Sequence, residues 1–171
     1  MLRAMKESTD VAVLAGGCFW GVEELLRKIP GVIDTEVGYS GGEGDPTYEN
    51  VKKGRSGYAE SISITFDPAQ LSFSHLLELF FKLHDPTTVN RQGNDVGSQY
   101  RSTIFVNSPE QRKIAEAAIE KENKSGRHTK PVATTIEDLK AFYSAESYHQ
   151  DYLQKNPGGY TCHYWRGGDP A

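Results

Sequence analysis

An α+β fold, a two-layer α/β sandwich with helices packed on a mixed sheet and an irregular C-terminal tail, is what this sequence predicts. Strand-like and helix-like stretches alternate along the chain, with neither internal repeats nor low-complexity segments. The strands are few, and the first strand-to-helix turn lacks the phosphate-cradling G-x-G-x-x-G of a doubly wound nucleotide-binding sheet. At 171 residues without a linker-like segment, the chain reads as one domain spanning 1–171.

Each element follows from its residues. Val11 to Ala15 is a short apolar run ended by Gly16-Gly17. Val22, Leu25, Leu26 and Ile29 then recur at helical spacing until Pro30-Gly31 stops them. Val32 to Tyr39 reads as a second strand, and the Gly- and Pro-bearing Ser40 to Gly57 as a long surface excursion. Tyr58 to Phe66 alternates as a third strand. Phe73, Leu76, Leu77, Phe80 and Phe81 mark one helix face that ends near Leu83, before Asp85-Pro86. A polar loop covers Asp85 to Gln99, and Tyr100 to Val106 is a strand. Ser108-Pro109-Glu110-Gln111 is a helix start, with Ser at the cap and Pro at the first position, and the helix runs to about Lys124. Val132 to Ile136 is a last β-branched strand and Glu146 to Lys155 a short helix. Asn156-Pro157-Gly158-Gly159 then opens a Gly-rich tail, 156–171, that carries Cys162.

Composition narrows the function classes. A net charge of −4 with no basic cluster of consequence argues against nucleic acid. No stretch approaches the roughly 20 apolar residues of a membrane span, and the start MLRAMKESTD reaches charge before any signal-like apolar run, so a cytoplasmic protein is expected. Two cysteines far apart, with no C-x-x-C, make a poor disulfide scaffold or structural zinc site. Redox or nucleophilic chemistry is the interesting use of thiols in a reducing compartment.

GGCFWGVEE, residues 16–24, places Cys18 where a strand becomes a helix. There, unpaired N–H groups and the helix dipole favour a thiolate. Gly16 and Gly17 permit a sharp turn that leaves the sulfur unshielded, and Phe19 and Trp20 supply an apolar wall. The competing reading, a buried small hydrophobe beside core aromatics, stands equally at this point. In YAESISITF, period-two alternation sets Glu60 with Tyr58, Ile62, Ile64 and Phe66 on the apolar face. A carboxyl group facing a core or cleft holds its proton and can act as a general acid, unless it simply reaches water at the strand end. Tyr39, Tyr48 and Tyr100 are either hydrogen-bond donors near a site or ordinary surface tyrosines.

Six ordered blocks resemble those of the A-type peptide methionine sulfoxide reductases: GCFWG at 17–21, GYSGG at 38–42, PTYENV at 46–51, GYAESI at 57–62, DPTTVNRQGNDVGSQYRS at 85–102 and NPGGY at 156–160. The resemblance spans nearly the whole chain. It implies a single catalytic domain with a ferredoxin-like core that reduces the S epimer of methionine sulfoxide, free or in proteins, as repair after oxidative damage. It further implies Cys18 as nucleophile, Glu60 as proton donor, and Phe19 and Trp20 as the wall taking the substrate methyl group. Tyr48 and Tyr100 would bond the sulfoxide oxygen, and Asp95 would help build the pocket. Cys162 would resolve a Cys18 sulfenic acid to a disulfide that thioredoxin or a similar dithiol reduces, in a monomer needing no metal or organic cofactor. Two departures stand out. Tyr58 replaces a common His in GHAE, and Thr161 separates Tyr160 from Cys162 where many relatives run Tyr-Cys.

Three other readings compete. A cysteine hydrolase would pair Cys18 with His75, His84, His128, His149 or His163, none of which sits in a recognisable triad context. A methionine-binding module without catalysis and a metal site built on Cys162 and His163 complete the set.

Overall fold

The computed structural model describes residues 8–168, so most of the charged start and the last three tail residues lie outside the described residues. In chain order the elements are β1 (Asp10–Gly16), α1 (Phe19–Leu26), β2 (Val32–Ser40), α2 (Tyr48–Lys52), β3 (Ala59–Phe66), α3 (Phe73–Leu83), β4 (Arg91–Gln92), β5 (Asp95–Val96), β6 (Ser102–Val106), α4 (Pro109–Lys124), β7 (Thr135–Asp138), β8 (Phe142–Ser144) and α5 (Tyr152–Lys155). Six strands form one sheet in the order β7-β6-β1-β3-β2-β8, while β4 and β5 make a separate two-stranded hairpin. Pairing in the large sheet is antiparallel except between β6 and β7, so the sheet is mixed, as predicted. The path β1-α1-β2-β3-α3-β6, with spatial order β6-β1-β3-β2, is the ferredoxin-like split βαβ unit.

Alternation along β1 divides its side chains between two clusters. Ala12 and Leu14 join Ile62, Ile64 and Ile104 under Val22 and Leu26 of α1, Leu76 and Phe80 of α3, and Ala115 of α4. Val13 and Ala15 face the other way, onto Ala59 and Phe105, where Leu139 and Phe142 cover them. Each large side chain sealed in the main cluster contributes about 1.5–3 kcal/mol of transfer free energy. The predicted cap at Ser108 is present, and Ser72 caps α3 in the same way. Ser72 Oγ accepts from His75 N at 3.0 Å and Ser108 Oγ from Gln111 N at 3.1 Å. Gln111 Oε1 in turn accepts from Asn107 N at 3.0 Å, one residue before the cap position.

Some boundaries differ from expectation, for local reasons. The excursion Ser40 to Gly57 contains α2, started by the Thr47 hydroxyl, which accepts from Asn50 N. The strand expected at Val132 begins only at Thr135, because Val132 N donates to Asn123 Oδ1 and Ala133 N to Pro86 O, which ties those residues into loop contacts. β8 adds a three-residue edge that sequence periodicity could not register. The segment Glu146 to Lys155 breaks in two, a 3-10 turn at Ser147–His149 and then α5, because Asp151 adopts a left-handed backbone with φ 56°. Gln150 between them spends its amide on the edge of β2, with Oε1 accepting from Val37 N at 2.9 Å and Nε2 donating to Val37 O at 2.8 Å.

Candidate functional site

The β1-to-α1 turn organises the site. Gly17 has φ 101°, and a Cβ there would lie 2.7 Å from the Gln92 side chain, so only glycine fits both the turn and the neighbour. Cys18 is the residue before α1. Since β1 and β3 pair antiparallel with Leu14 opposite Ile62, continuing the register sets Glu60 level with the end of β1. The Phe19 N–H donates to Glu60 Oε1 at 3.0 Å in a buried bond, so a carboxyl group from β3 serves the first turn of α1.

Cys18, Phe19, Trp20, Tyr48, Glu60, Asp95, Tyr100 and Tyr160 line one cavity of about 110 Å³, the size of a small side-chain terminus. Seven of these eight are the residues singled out from sequence; Tyr160 is the addition. A wider cleft of about 550 Å³, between α3, the end of α4 and the tail at Tyr164 to Gly167, contains neither cysteine. The wall is braced from outside. Trp20 stacks on Tyr152 with ring centroids 3.8 Å apart, and its Nε1–H donates to His149 Nδ1 at 3.0 Å. His149 is 1% exposed and also packs against Phe19 and Tyr48. Tyr39, by contrast, lies outside the cavity and donates to Glu146 Oε1 at 2.8 Å. Glu146 Oε2 accepts the Tyr48 N–H at 2.9 Å, so one carboxylate fixes the start of α2.

Burial dominates the electrostatics. Desolvation pushes the Glu60 carboxyl up to about 8, against the pull of the Phe19 N–H and with added repulsion from Asp95. Tyr48 is pushed up to about 12, and Tyr100 is raised as well, in both cases by burial first and then by Glu60, so both phenols are donors at neutral pH. Cys18 departs from the thiolate expected of a helix start. Its residue is only 8% exposed, and burial and then Glu60 raise the thiol far above its ordinary value, outweighing the Trp20 N–H that lowers it. The dipole of an eight-residue helix loses to desolvation here, and the resting sulfur is neither unshielded nor ionised. Among the described residues no histidine bonds Cys18, His163 Nε2 instead meeting Gly16 O, and no group of three or more metal-ligating side chains gathers.

A model of the family described as peptide methionine sulfoxide reductase matches residues 10–168. The chain belongs to that family. It is 53% identical over 165 residues to peptide methionine sulfoxide reductase MsrA 1 of Mesorhizobium japonicum, covering 96% of this chain and 94% of the relative. It is 54% identical over 158 residues to MsrA of Mycolicibacterium vanbaalenii, covering 92% and 91%. Among solved structures, the reduced form of Mxr1 from Saccharomyces cerevisiae superposes with a TM-score of 0.85 at 38% identity, covering 96% of this chain and 97% of that one. Mxr1 in complex with Trx2 matches at TM-score 0.60 and 28% identity over 96% of each chain.

In this reductase the tail departs from its Gly-rich appearance. Gly158 is open, but His163 is 7% exposed and its Nε2 lies 2.7 Å from Gly16 O. Arg166 N donates to Lys82 O at 2.9 Å, and Trp165 packs against the main core. Cys162 is therefore held in a docked segment. It sits over Gly93, where an added Cβ would lie 3.2 Å from Cys162 Sγ, and its sulfur is 3.9 Å from Gln92 O. The Tyr160 hydroxyl donates to Asp95 Oδ2 at 3.3 Å. Both cysteines are free. Tyr160, His149 and His163 had no role in the reductase reading of the sequence, where the histidines were weighed only as partners of a hydrolase or a metal site. Tyr160 carried a signal, two places before the second cysteine, whereas the partners of the histidines are 129 and 147 residues away.

Proposed function

We propose that this chain reduces methionine S-sulfoxide, free or in proteins, to methionine through a Cys18 sulfenic acid, then a Cys18–Cys162 disulfide reduced by thioredoxin. The observation that carries the reading is the convergence of Cys18, a protonated Glu60 and two phenol donors on one small aromatic-walled cavity. Phe19 and Trp20 take the methyl group, Tyr48 and Tyr100 hold the sulfoxide oxygen, and Asp95 closes the pocket through Tyr160. Glu60 gives its proton to the oxygen as Cys18 Sγ attacks the substrate sulfur, and the carboxylate recovers a proton from the Cys18 thiol. The Cys18–substrate S–S bond made by the attack breaks as the hydroxyl passes from the substrate sulfur to Cys18 Sγ, so the substrate S–O bond is lost, a Cys18 S–O bond forms as sulfenic acid, and methionine leaves. Thiol plus sulfoxide thus balances sulfenic acid plus sulfide.

The neutral thiol suits this sequence of events, because the proton that it loses replaces the one that Glu60 gives. Complex formation of the structural neighbour Mxr1 with Trx2 supports a thioredoxin partner for the disulfide. The activity is assigned to a cytoplasmic monomer acting as a single catalytic domain; among the described residues no helix is long and apolar enough to cross a membrane. Turnover of separated sulfoxide epimers with a thioredoxin system tests the proposal. Reduction of the S epimer alone is expected, and equal rates for both epimers would contradict it.

A further inference from the structure

His163 has no part in the first chemical step, yet it is buried at the junction of the two cysteine segments. Its Nε2 lies 2.7 Å from Gly16 O, the last residue of β1, and its Nδ1 lies 3.9 Å from Cys162 Sγ, within reach of a sulfur hydrogen bond. A carbonyl oxygen only accepts, so Nε2 carries the hydrogen. In a neutral ring that leaves Nδ1 as a bare lone pair, turned to the thiol. The ring is seated by the absence of side chains opposite it: a Cβ on Gly21 would meet Nδ1, and one on Gly17 would lie 3.1 Å from Nε2.

We propose that His163 Nδ1 is the general base of the recycling step, taking the proton of Cys162 as that sulfur attacks oxidised Cys18. The inference rests on the resolving role of Cys162 proposed above. Cys162 Sγ bonds to Cys18 Sγ, the S–O bond of the sulfenic acid breaks, and the hydroxyl departs as water with a proton from Glu60. The imidazolium then returns its proton to the carboxylate through solvent. Thiol plus sulfenic acid gives disulfide plus water, Cys162 being oxidised and Cys18 reduced to the disulfide level. The other groups near the thiol are worse placed: Gln92 O takes no proton at neutral pH, the Tyr160 phenol keeps its own proton there, and the Asp95 carboxyl group is engaged by the Tyr160 hydroxyl and makes no hydrogen bond to the thiol.

The charge state of the ring is consistent with the geometry. Burial lowers His163 to about 4, with Gly16 O opposing and Arg166 adding to the shift. Cys18, Cys162, Asp95, Tyr160, His84 and Arg166 are the titratable or charged groups around the two partners. A neutral acceptor is thus present from about pH 5 upward.

The test compares parent and H163Q, whose amide N–H can keep the bond to Gly16 O while removing the base. Each is mixed with one equivalent of S-sulfoxide, and methionine release and disulfide formation are timed by rapid quench and alkylation. The ratio of the disulfide rate to the methionine rate is expected to fall roughly 10²-fold in H163Q at pH 6.5. A fall of less than about tenfold overturns the proposal, since general-base catalysis typically contributes more. In the parent, which needs no variant to fold, the disulfide rate should be nearly flat between pH 5 and 8. A rate climbing about tenfold per pH unit, as for attack by free thiolate, overturns it as well. If the parent forms no Cys18–Cys162 disulfide, the resolving role of Cys162 and this proposal fail together; if the disulfide forms equally fast in both proteins, only the base is refuted.

Discussion

The backbone N–H of Phe19 donates to Glu60 Oε1 at 3.0 Å, so the carboxyl group from β3 and the helix that follows Cys18 share one hydrogen bond. That bond holds the carboxyl group at the cavity that Cys18 also lines. It also explains why Glu60 can be fully buried without a cationic partner: a protonated carboxyl group still offers a carbonyl oxygen to the N–H.

Glu60→Gln should slow methionine release on the order of 10²-fold at pH 7, since the amide keeps the shape and loses the proton. With Glu60 titrating at about 8, the parent rate should hold below that pH and decline above it. The variant should lack that decline. Single-turnover rates across pH 6–10 check both, and a parent rate that rises through pH 8 would point to thiolate formation as the limiting event.

The same substitution has a signed effect on stability. The folded carboxyl binds its proton up to about 8 whereas an ordinary one releases it near 4.5, so the folded state binds more protons in that window. Stability of the parent therefore drops as pH rises through it, by a few kcal/mol for a shift of this kind. Glu60→Gln should gain on the parent from pH 5 to pH 8, as read by urea unfolding at each pH. A constant difference would mean that Glu60 is solvated.

Trp20→Phe removes the indole N–H from His149 Nδ1, a bond of 3.0 Å, and leaves a buried acceptor unpaired. The cost should be about 1–3 kcal/mol. If it falls on pocket shape, KM for the sulfoxide rises by about tenfold with kcat less affected. Steady-state kinetics with a peptide sulfoxide measure the split.

Gly21→Ala places a methyl group against Thr161 Oγ1 and His163 Nδ1. The change suits the helix by about 1 kcal/mol but pushes the tail off its seat. Disulfide formation should slow relative to methionine release. Thermal unfolding and the quench assay separate the two effects.

Most of the fold was legible because its signals are local. The helix start at Ser108, the apolar face from Phe73 to Phe81, the glycine stop after β1 and the alternation in β3 each lie within a few residues. The site was legible through its chemistry-bearing residues, and seven of them do line one cavity. What stayed hidden depends on distant packing. Asp151 turns left-handed where its N–H meets Glu23 and its carboxylate meets Arg27, and no window of sequence contains those partners. At Cys18 the helix position and the burial were both readable as equal alternatives, and what the sequence did not show was that burial outweighs the helix start.

The central claim is that Cys18 takes the substrate oxygen and Cys162 resolves it. Parent and Cys162→Ser proteins, each given one equivalent of methionine S-sulfoxide and no reductant, are quenched and mapped by mass spectrometry with dimedone present. The parent should release about one methionine per chain and carry a Cys18–Cys162 disulfide, while Cys162→Ser should release as much and carry dimedone on Cys18 alone. Methionine release without a dimedone adduct on Cys18 in the variant, or a parent without the disulfide, would contradict the account.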